Sequence, residues 1–299
     1  MDEASASEQR ESLRDSVLVR PVLDADLGAV CQFFHEHLGG NMSPEVWKNA
    51  FSQKWMPDCP NHGYMLFDGK RVVGAFGAIY AQRRIRGNLE TFCNHNSWVV
   101  LPEYRAKSLG LLHALLRQKG YHVTVVTPNP KVARIYELRG YRPLGNQILV
   151  LSQLTSWHQA LGARVIADAE GIVAALPPDA ARDYRNHSMF PWLRQLACGD
   201  SQGICHIVFR LGRWKRMPAA KILHVGDGDV FNRVYAALGR YLLLKHGVMT
   251  MHMPSRYVPE RPWGSFTLVD GQARLFHSET LNTQDISYLY TELAALDLP

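Results

Sequence analysis

The 299-residue sequence has no uninterrupted apolar stretch of the length a bilayer span requires. Its best approach, residues 235–244, is short and carries Arg240, so no membrane partner is expected. Cysteine is scarce: Cys31, Cys59, Cys93, Cys198 and Cys205 lie scattered with no CxxC spacing, which argues against a zinc site or a disulfide scaffold. No metal is expected, and a reducing cytoplasm is the simplest compartment. An excess of one charge is also lacking, since 33 basic residues face 27 acidic ones and leave a net charge of only +6. With no recognised nucleic-acid motif and no interleaving of aromatic and basic residues, nucleic acid is not an expected partner. Residues 1–15, rich in Ser, Glu and Arg, contain no apolar run; they read as disordered, neither a signal peptide nor a folded element.

What is present is a globular composition, 46% hydrophobic and 20% charged, in a chain long enough for two domains. Residues 16–20 read as a strand and residues 24–38 as a helix with Leu27, Val30, Phe33, Phe34 and Leu38 at helical spacing. Ser43-Pro44-Glu45 is a helix start, Ser as cap and Pro in the first turn. Residues 64–67 and 72–83 around Asp68-Gly69-Lys70 form a hairpin, and residues 90–101 the next strand. There, period-two alternation places Glu90, Phe92, Asn94 and Asn96 on one face and Cys93, His95 and Ser97 on the other.

That strand ends at Pro102 and runs into Arg105-Ala106-Lys107-Ser108-Leu109-Gly110, where a helix begins. Small residues in such a turn let several N–H groups point at one anion, and the helix adds the positive end of its dipole. Diphosphate is the natural guest. A β-type run at 122–127 then leads to Asn129-Pro130, a helix through Tyr136, and Gly140-Tyr141, with Pro130 suited to the first helical position and Gly140 to a left-handed cap.

The two segments together resemble the signatures of the GNAT superfamily of N-acetyltransferases: Arg or Gln, two variable residues, Gly, one variable residue, Gly or Ala; then Asn opening a helix, Tyr seven residues later, and Gly with an aromatic residue. Ser108 stands where the family has its first glycine, and a positive φ there would strain a serine. The resemblance covers roughly residues 16–151. It implies an α/β (α+β) fold, a mixed, mainly antiparallel sheet flanked by helices, with residues 16–152 as the acyl-CoA-binding domain. It implies acetyl-CoA as co-substrate, held by Val99, Val100, Arg105, Ala106, Lys107, Ser108, Leu109, Gly110 and Asn129. A backbone N–H near Val99 or Val100 would polarise the thioester carbonyl, and Tyr136 would act as general acid. Glu90 and His95 rank level as the base. Cys93 invites an acyl-cysteine reading, but no activating partner is identified, and an unactivated buried thiol is the plainer one.

Residues 153–299 repeat the element pattern: paired strands at 204–211 and 219–225, a helix at 229–246, a strand at 248–253, a last hairpin of 264–268 with 274–277, and a packing helix over 287–296. Residues 157–176 are mixed. This half reads as a second, degenerate GNAT-like domain that shapes the acceptor site, because Gly226-Asp227-Gly228-Asp229 puts carboxylates where coenzyme phosphates would sit. Met189, Phe190, Trp192, Trp214 and Trp263 either line an acceptor pocket or form that domain's core. Arg83, Arg84 and Arg86 serve as a solvated strand end, a clamp for the 3′-phosphate or an anion-recognition group. The expected reaction is acetyl transfer to a primary amine of a small molecule such as an amino sugar, amino acid or polyamine, in a monomer or homodimer. The alternatives are a longer-acyl or acyl-carrier-protein user and a non-catalytic CoA-binding sensor or scaffold.

Overall fold

The computed structural model describes residues 17–38, 42–153 and 162–298, so the disorder expected at 1–15 lies outside the described residues. The chain falls into two compact units, one ending at Val126 and taking in the last residues from Leu296, the other Thr127–Ala295.

The first unit runs β1 (Leu18–Pro21), α1 (Leu27–His37), α2 (Pro44–Phe51), β2 (Gly63–Phe67), β3 (Val72–Ile85), β4 (Asn88–Val100), α3 (Ser108–Leu116) and β5 (His122–Val125). Strands β1 to β5 lie in sequence order, antiparallel except for the parallel pair β4 and β5. Residues 72–81 of β3 are buried throughout, as a strand covered on both faces must be. Helices α1 and α2 cover one face through Phe34, Trp47 and Phe51, whose rings lie 5.2 to 6.3 Å apart. On the other face α3 buries Leu111, Leu112 and Leu115. The Ser43 hydroxyl accepts from Val46 N–H and Pro44 opens α2, as its start signal requires.

The second unit contains α4 (Pro130–Glu137), β6 (Arg142–Pro143), β7 (Gln147–Ser152), β8 (Arg164–Ile166), α5 (Ala169–Ala175), α6 (Pro178–His187), β9 (Arg194–Asp200), β10 (Gly203–Trp214), β11 (Met217–Val225), α7 (Gly228–His246), β12 (Thr250–Pro254), β13 (Ser265–Val269), β14 (Leu275–His277) and the single turn α8 (Glu292–Ala295). Its sheet has the order β13-β7-β12-β11-β10-β9-β8, and β11 and β12 are parallel across the α7 crossover. From β8 to β12 the elements and pairings follow those from β1 to β5 one for one.

Three expectations change. The divide falls at Val126 rather than near residue 152, because β7, expected to finish the first domain, pairs with β12 and β13. The expected last hairpin is not one: β13 pairs with β7, and β14 with β6. Within 287–296 only Glu292–Ala295 is helical. There the Thr291 hydroxyl donates to Tyr288 O and accepts from Leu293 N–H, and Ser287 accepts from Leu289 N–H; such local bonds offer the backbone an alternative to the helix. The uncertain stretch around 157–176 resolves, in its described part, into β8 and α5.

Gly63 opens β2 at φ +113°, and a Cβ there would strike the Phe76 carbonyl oxygen and come within 2.8 Å of Gly77 Cα. Backbone cannot yield as a side chain can. Gly63→Ala should therefore lower unfolding stability by about 2–4 kcal/mol in urea titration, whereas Gly69→Ala, at a φ of +91° in open space, should cost about 1 kcal/mol.

Candidate functional site

The β3–β4 hairpin turns at Arg86 (φ 51°) and Gly87 (φ 86°), the left-handed pair that a tight two-residue hairpin needs. It then runs in antiparallel register, with one shift between Phe76 and Gly77, to Val100, opposite Gly74. Leu101 N–H donates to Val73 O at 3.0 Å, so Val100 and Gly74 form a non-hydrogen-bonded pair and the main-chain groups of Val100 point away from β3. By the same alternation those of Trp98 do too, while those of Val99 turn toward Ala75.

On that outward side β5 pairs with β4 over just Phe92–Asn94, opposite His122, Val123 and Thr124. Past Asn94 the parallel ladder stops while β4 continues to Val100. The exposed N–H and C=O of Trp98 and Val100 are thus an edge onto which an amide-containing chain can add. Of the two valines expected to meet the thioester, Val100 has the free main-chain direction.

A bulge lies just before this edge. Trp98 faces Phe76 and Asn96 faces Gly77, leaving Ser97 as the extra residue at φ 58°. A chain of buried amides reaches it from β5: Asn94 Nδ2 donates to Thr124 Oγ1 (3.1 Å), Asn96 Nδ2 to Asn94 Oδ1 (3.2 Å), and the Ser97 hydroxyl to Asn96 Oδ1 (2.8 Å). Asn94, Asn96 and Thr124 are at most 4% exposed. Gly77 makes room for the chain, since a Cβ there would lie 2.6 Å from the Phe51 ring and 3.1 Å from Asn96 Oδ1. Sequence reasoning missed this ladder. Its signal was two asparagines at i and i+2 within a buried strand, where Asn is disfavoured.

Neither expected base reaches the edge. Glu90 sits seven residues before the bulge, about 23 Å along the strand, and its carboxylate meets His122 Nε2 at 2.8 Å. His95 is 1% exposed, edge-on to Phe76 at 5.8 Å, and burial pulls its pKa down to about 3. It is a neutral core imidazole. Cys93 is buried as well, and desolvation pushes its thiol far above the ordinary range, so it is no nucleophile. Arg83, Arg84 and Arg86 mark the hairpin's far end.

The expected diphosphate cradle takes another form. Pro102–Lys107 is a 3-10 helix continuous with α3; Ser108 has φ −56° and ψ −39°, and none of residues 101–110 has a positive φ. Tyr104 N–H donates to Leu101 O and Ser108 N–H to Arg105 O, so these amides point back along the helix instead of converging on an anion. Arg105, Ala106, Lys107 and Leu109 are exposed. Gly110 is a packing residue: its Cβ would meet Val19 at 3.0 Å.

In the second unit, Asn129 Oδ1 accepts from Val132 N–H at 3.0 Å and caps α4. Gly140, at φ 83°, ends the helix with Tyr141 N–H returning to Tyr136 O, as its sequence position implied. Tyr136 is fully buried, edge-on to Tyr141 at 4.7 Å. The expected acceptor cluster separates: Phe190 and Trp192 pack together at 5.4 Å, Trp214 lies against His252 at 5.1 Å, and Met189 and Trp263 are exposed.

No protein-family model and no curated protein matches this sequence. Solved structures do match its fold. A GCN5-related N-acetyltransferase from Kribbella flavida is 16% identical, with a TM-score of 0.58 over 87% of this chain and 70% of that one. One from Anabaena variabilis ATCC 29413 is 10% identical, with a TM-score of 0.57 over 87% and 72%. A fungal multi-domain GH3 β-N-acetylglucosaminidase that contains a GCN5-related glucosamine N-acetyltransferase region is 14% identical, with a TM-score of 0.53 over 88% of this chain and 38% of that one. The chain therefore has the GCN5-related N-acetyltransferase fold, as its two sequence signatures implied.

His95 gives the fold a measurable acid dependence. Its folded-state pKa lies below the ordinary 6.5, so under pH 6.5 the unfolded chain takes up a proton that the folded one refuses, and stability falls from there toward pH 3. Denaturant titrations of wild type and His95→Gln should differ in slope across that window by about 1 kcal/mol per pH unit. His252, also lowered by burial, contributes to both and cancels.

Proposed function

We propose that the chain is an acyl-coenzyme A-dependent N-acyltransferase that moves an acetyl group to a primary amine of a small molecule. The observation that carries this reading is the free main-chain edge of β4 between the Ser97 bulge and Val100. A pantetheine arm is a chain of amides, and the outward N–H and C=O groups of Trp98 and Val100 offer it a strand partner. An N–H in that position stabilises negative charge on a thioester oxygen as an amine attacks. The fungal match acts on glucosamine, which makes an amino sugar the first amine to test, ahead of amino acids and polyamines.

Binding of the diphosphate then falls to Arg105 and Lys107, because the helical turn supplies no converging amides. Tyr136 keeps the role of proton donor to the departing thiolate on the strength of its motif position. Neither Glu90 nor His95 takes the base's place, for the reasons of distance and burial given above. From β8 onward the second unit is read as a GNAT-like domain without coenzyme chemistry: Asp227 spends its carboxylate capping α7 at Val230 N–H (2.9 Å).

The helical turn at 102–107 also favours a second reading, in which the fold is kept as a non-catalytic scaffold. Incubation with acetyl-coenzyme A and an amine panel, with free thiol followed, separates the two; no release with any amine would leave the scaffold.

Val100→Pro removes one outward N–H while sparing the Leu101 bond to β3. It should raise KM for acetyl-coenzyme A about tenfold, roughly the worth of one hydrogen bond, with the unfolding midpoint nearly unchanged. Tyr136→Phe should instead lower kcat by about 10²-fold or more with little change in KM, and unchanged turnover would remove Tyr136 from the chemistry.

A further inference from the structure

The buried side-chain hydrogen bonds that lead to the Ser97 bulge run in a single direction, and the carbonyls beside them fix it. Asn94 Nδ2 faces Thr124 O at 3.4 Å as well as Thr124 Oγ1 at 3.1 Å. Asn96 Nδ2 faces Asn94 O at 3.2 Å as well as Asn94 Oδ1 at 3.2 Å. A main-chain carbonyl only accepts, so in both side chains the nitrogen is the atom turned toward it. Asn96 then presents Oδ1 to Ser97, and at 2.8 Å the serine hydroxyl has to be the donor.

The consequence falls on Ser97 Oγ. Its one proton is committed inward, and its two lone pairs form the outer end of the chain. Each bond in such a chain polarises the next, which makes the terminal oxygen a better acceptor than an isolated hydroxyl. Asn94, Asn96 and Thr124 are buried, whereas Ser97 is half-buried, so Ser97 is the end a ligand can reach. At φ 58° a glycine would be less strained than a serine, yet the fold keeps a hydroxyl there.

Asn96 places that oxygen on a definite face of the sheet. The Cβ position of Gly77 lies close both to the Phe51 ring and to Asn96 Oδ1, so Asn96 shares with Phe51 the face that α2 covers. Ser97 immediately precedes Trp98, whose outward N–H and C=O begin the free edge, and consecutive Cα atoms are about 3.8 Å apart. A carbonyl paired with that edge accepts its hydrogen bond in its own plane, close to the plane of the sheet. A nucleophile must approach such a carbonyl from above or below, and Ser97 Oγ, bonded to Asn96 on the α2 side, singles out one of the two.

We propose that Ser97 Oγ accepts an N–H of the attacking amine and holds its nitrogen on the α2 face of the sheet, beside the thioester carbon. The acceptor must then bring a donor at the reacting nitrogen, and one N–H spent on Ser97 leaves the nitrogen lone pair free to turn toward the carbonyl. Serine neither gains nor loses a proton in this role, because its own stays on the bond to Asn96. The inference rests on the acyl-transfer reading and adds to it the group that orients the amine.

Ser97→Gly tests it, since glycine accepts the left-handed φ and removes only the hydroxymethyl group. In thiol-release assays of the full chain with glucosamine, lysine and spermidine, this variant should raise KM for the amine about tenfold, roughly the worth of one hydrogen bond. KM for acetyl-coenzyme A should stay within about twofold and the thermal unfolding midpoint should not fall. Ser97→Cys, which keeps a proton for Asn96 but offers a weak acceptor, should lie between wild type and Ser97→Gly. A hydroxyl that merely tied down the bulge would, once removed, disturb the edge and raise both KM values together or lower the midpoint. Either of those results, or an unchanged KM for the amine, overturns the proposal. Where wild type releases no thiol with any of the three amines, the transfer reading fails and calorimetric titration of the same amines in excess coenzyme A decides the inference by itself. Affinity reduced about tenfold in Ser97→Gly supports it, and equal affinity or no heat overturns it.

Discussion

A parallel ladder of three residue pairs is the constraint on which the first unit's candidate site depends. Phe92, Cys93 and Asn94 hold β5, and nothing in the register continues the pairing toward Val100. Antiparallel pairing with β3 continues beyond that point across the Ser97 bulge, so the outward main-chain groups of Trp98 and Val100 have no strand partner among the described residues. Backbone donors and acceptors left this way are strong, directional and poised for an added chain. The Ser97 bulge determines which of them turn outward, and the chain of amides from Thr124 to Ser97 ties the bulge to the last paired residue of β5.

The second unit repeats the three-residue parallel ladder and the bulge beside it. Its β11 and β12 also pair over three residues, and an extra residue, Leu223, lies where Val208 faces His224 and Phe209 faces Ile222. Here the Tyr257 hydroxyl, from the turn after β12, donates to Leu223 O at 2.8 Å. Gly228 packs its backbone closely, with a Cβ position 2.5 Å from Tyr257 O, and Asp227 places a carboxylate at the start of α7. One topology thus occurs twice, and in the second unit the carbonyl of the bulge residue is engaged by the turn after β12.

Much of this was legible before any coordinates. Ser43, Asn129 and Gly140 do what their positions in the chain imply, because a cap needs little beyond its own few residues. Asp227, expected to place a carboxylate in a turn, caps α7 at Val230 N–H. The turn at Arg105–Gly110 was different: small residues permit a left-handed nest but do not compel one, and here the backbone stays right-handed from Pro102 onward. Glu90 and His95 were plausible bases by residue type. Their distance along β4 and their burial, which settle the matter, are properties of the folded sheet.

Sequence alone determined the order of strands and helices from β1 to α4, their caps, and the alternation that assigns residues of β4 to a face as far as the bulge, since these follow from local sterics and hydrogen bonding. Tertiary structure decided which strands pair across long separations: β7 joins β12 and β13, β14 joins β6, and β5 leaves β4 after Asn94. It also decided which polar groups stay dry, as with His95. Those outcomes depend on packing and on register between distant segments, and no local stretch of chain contains the energy that sets them.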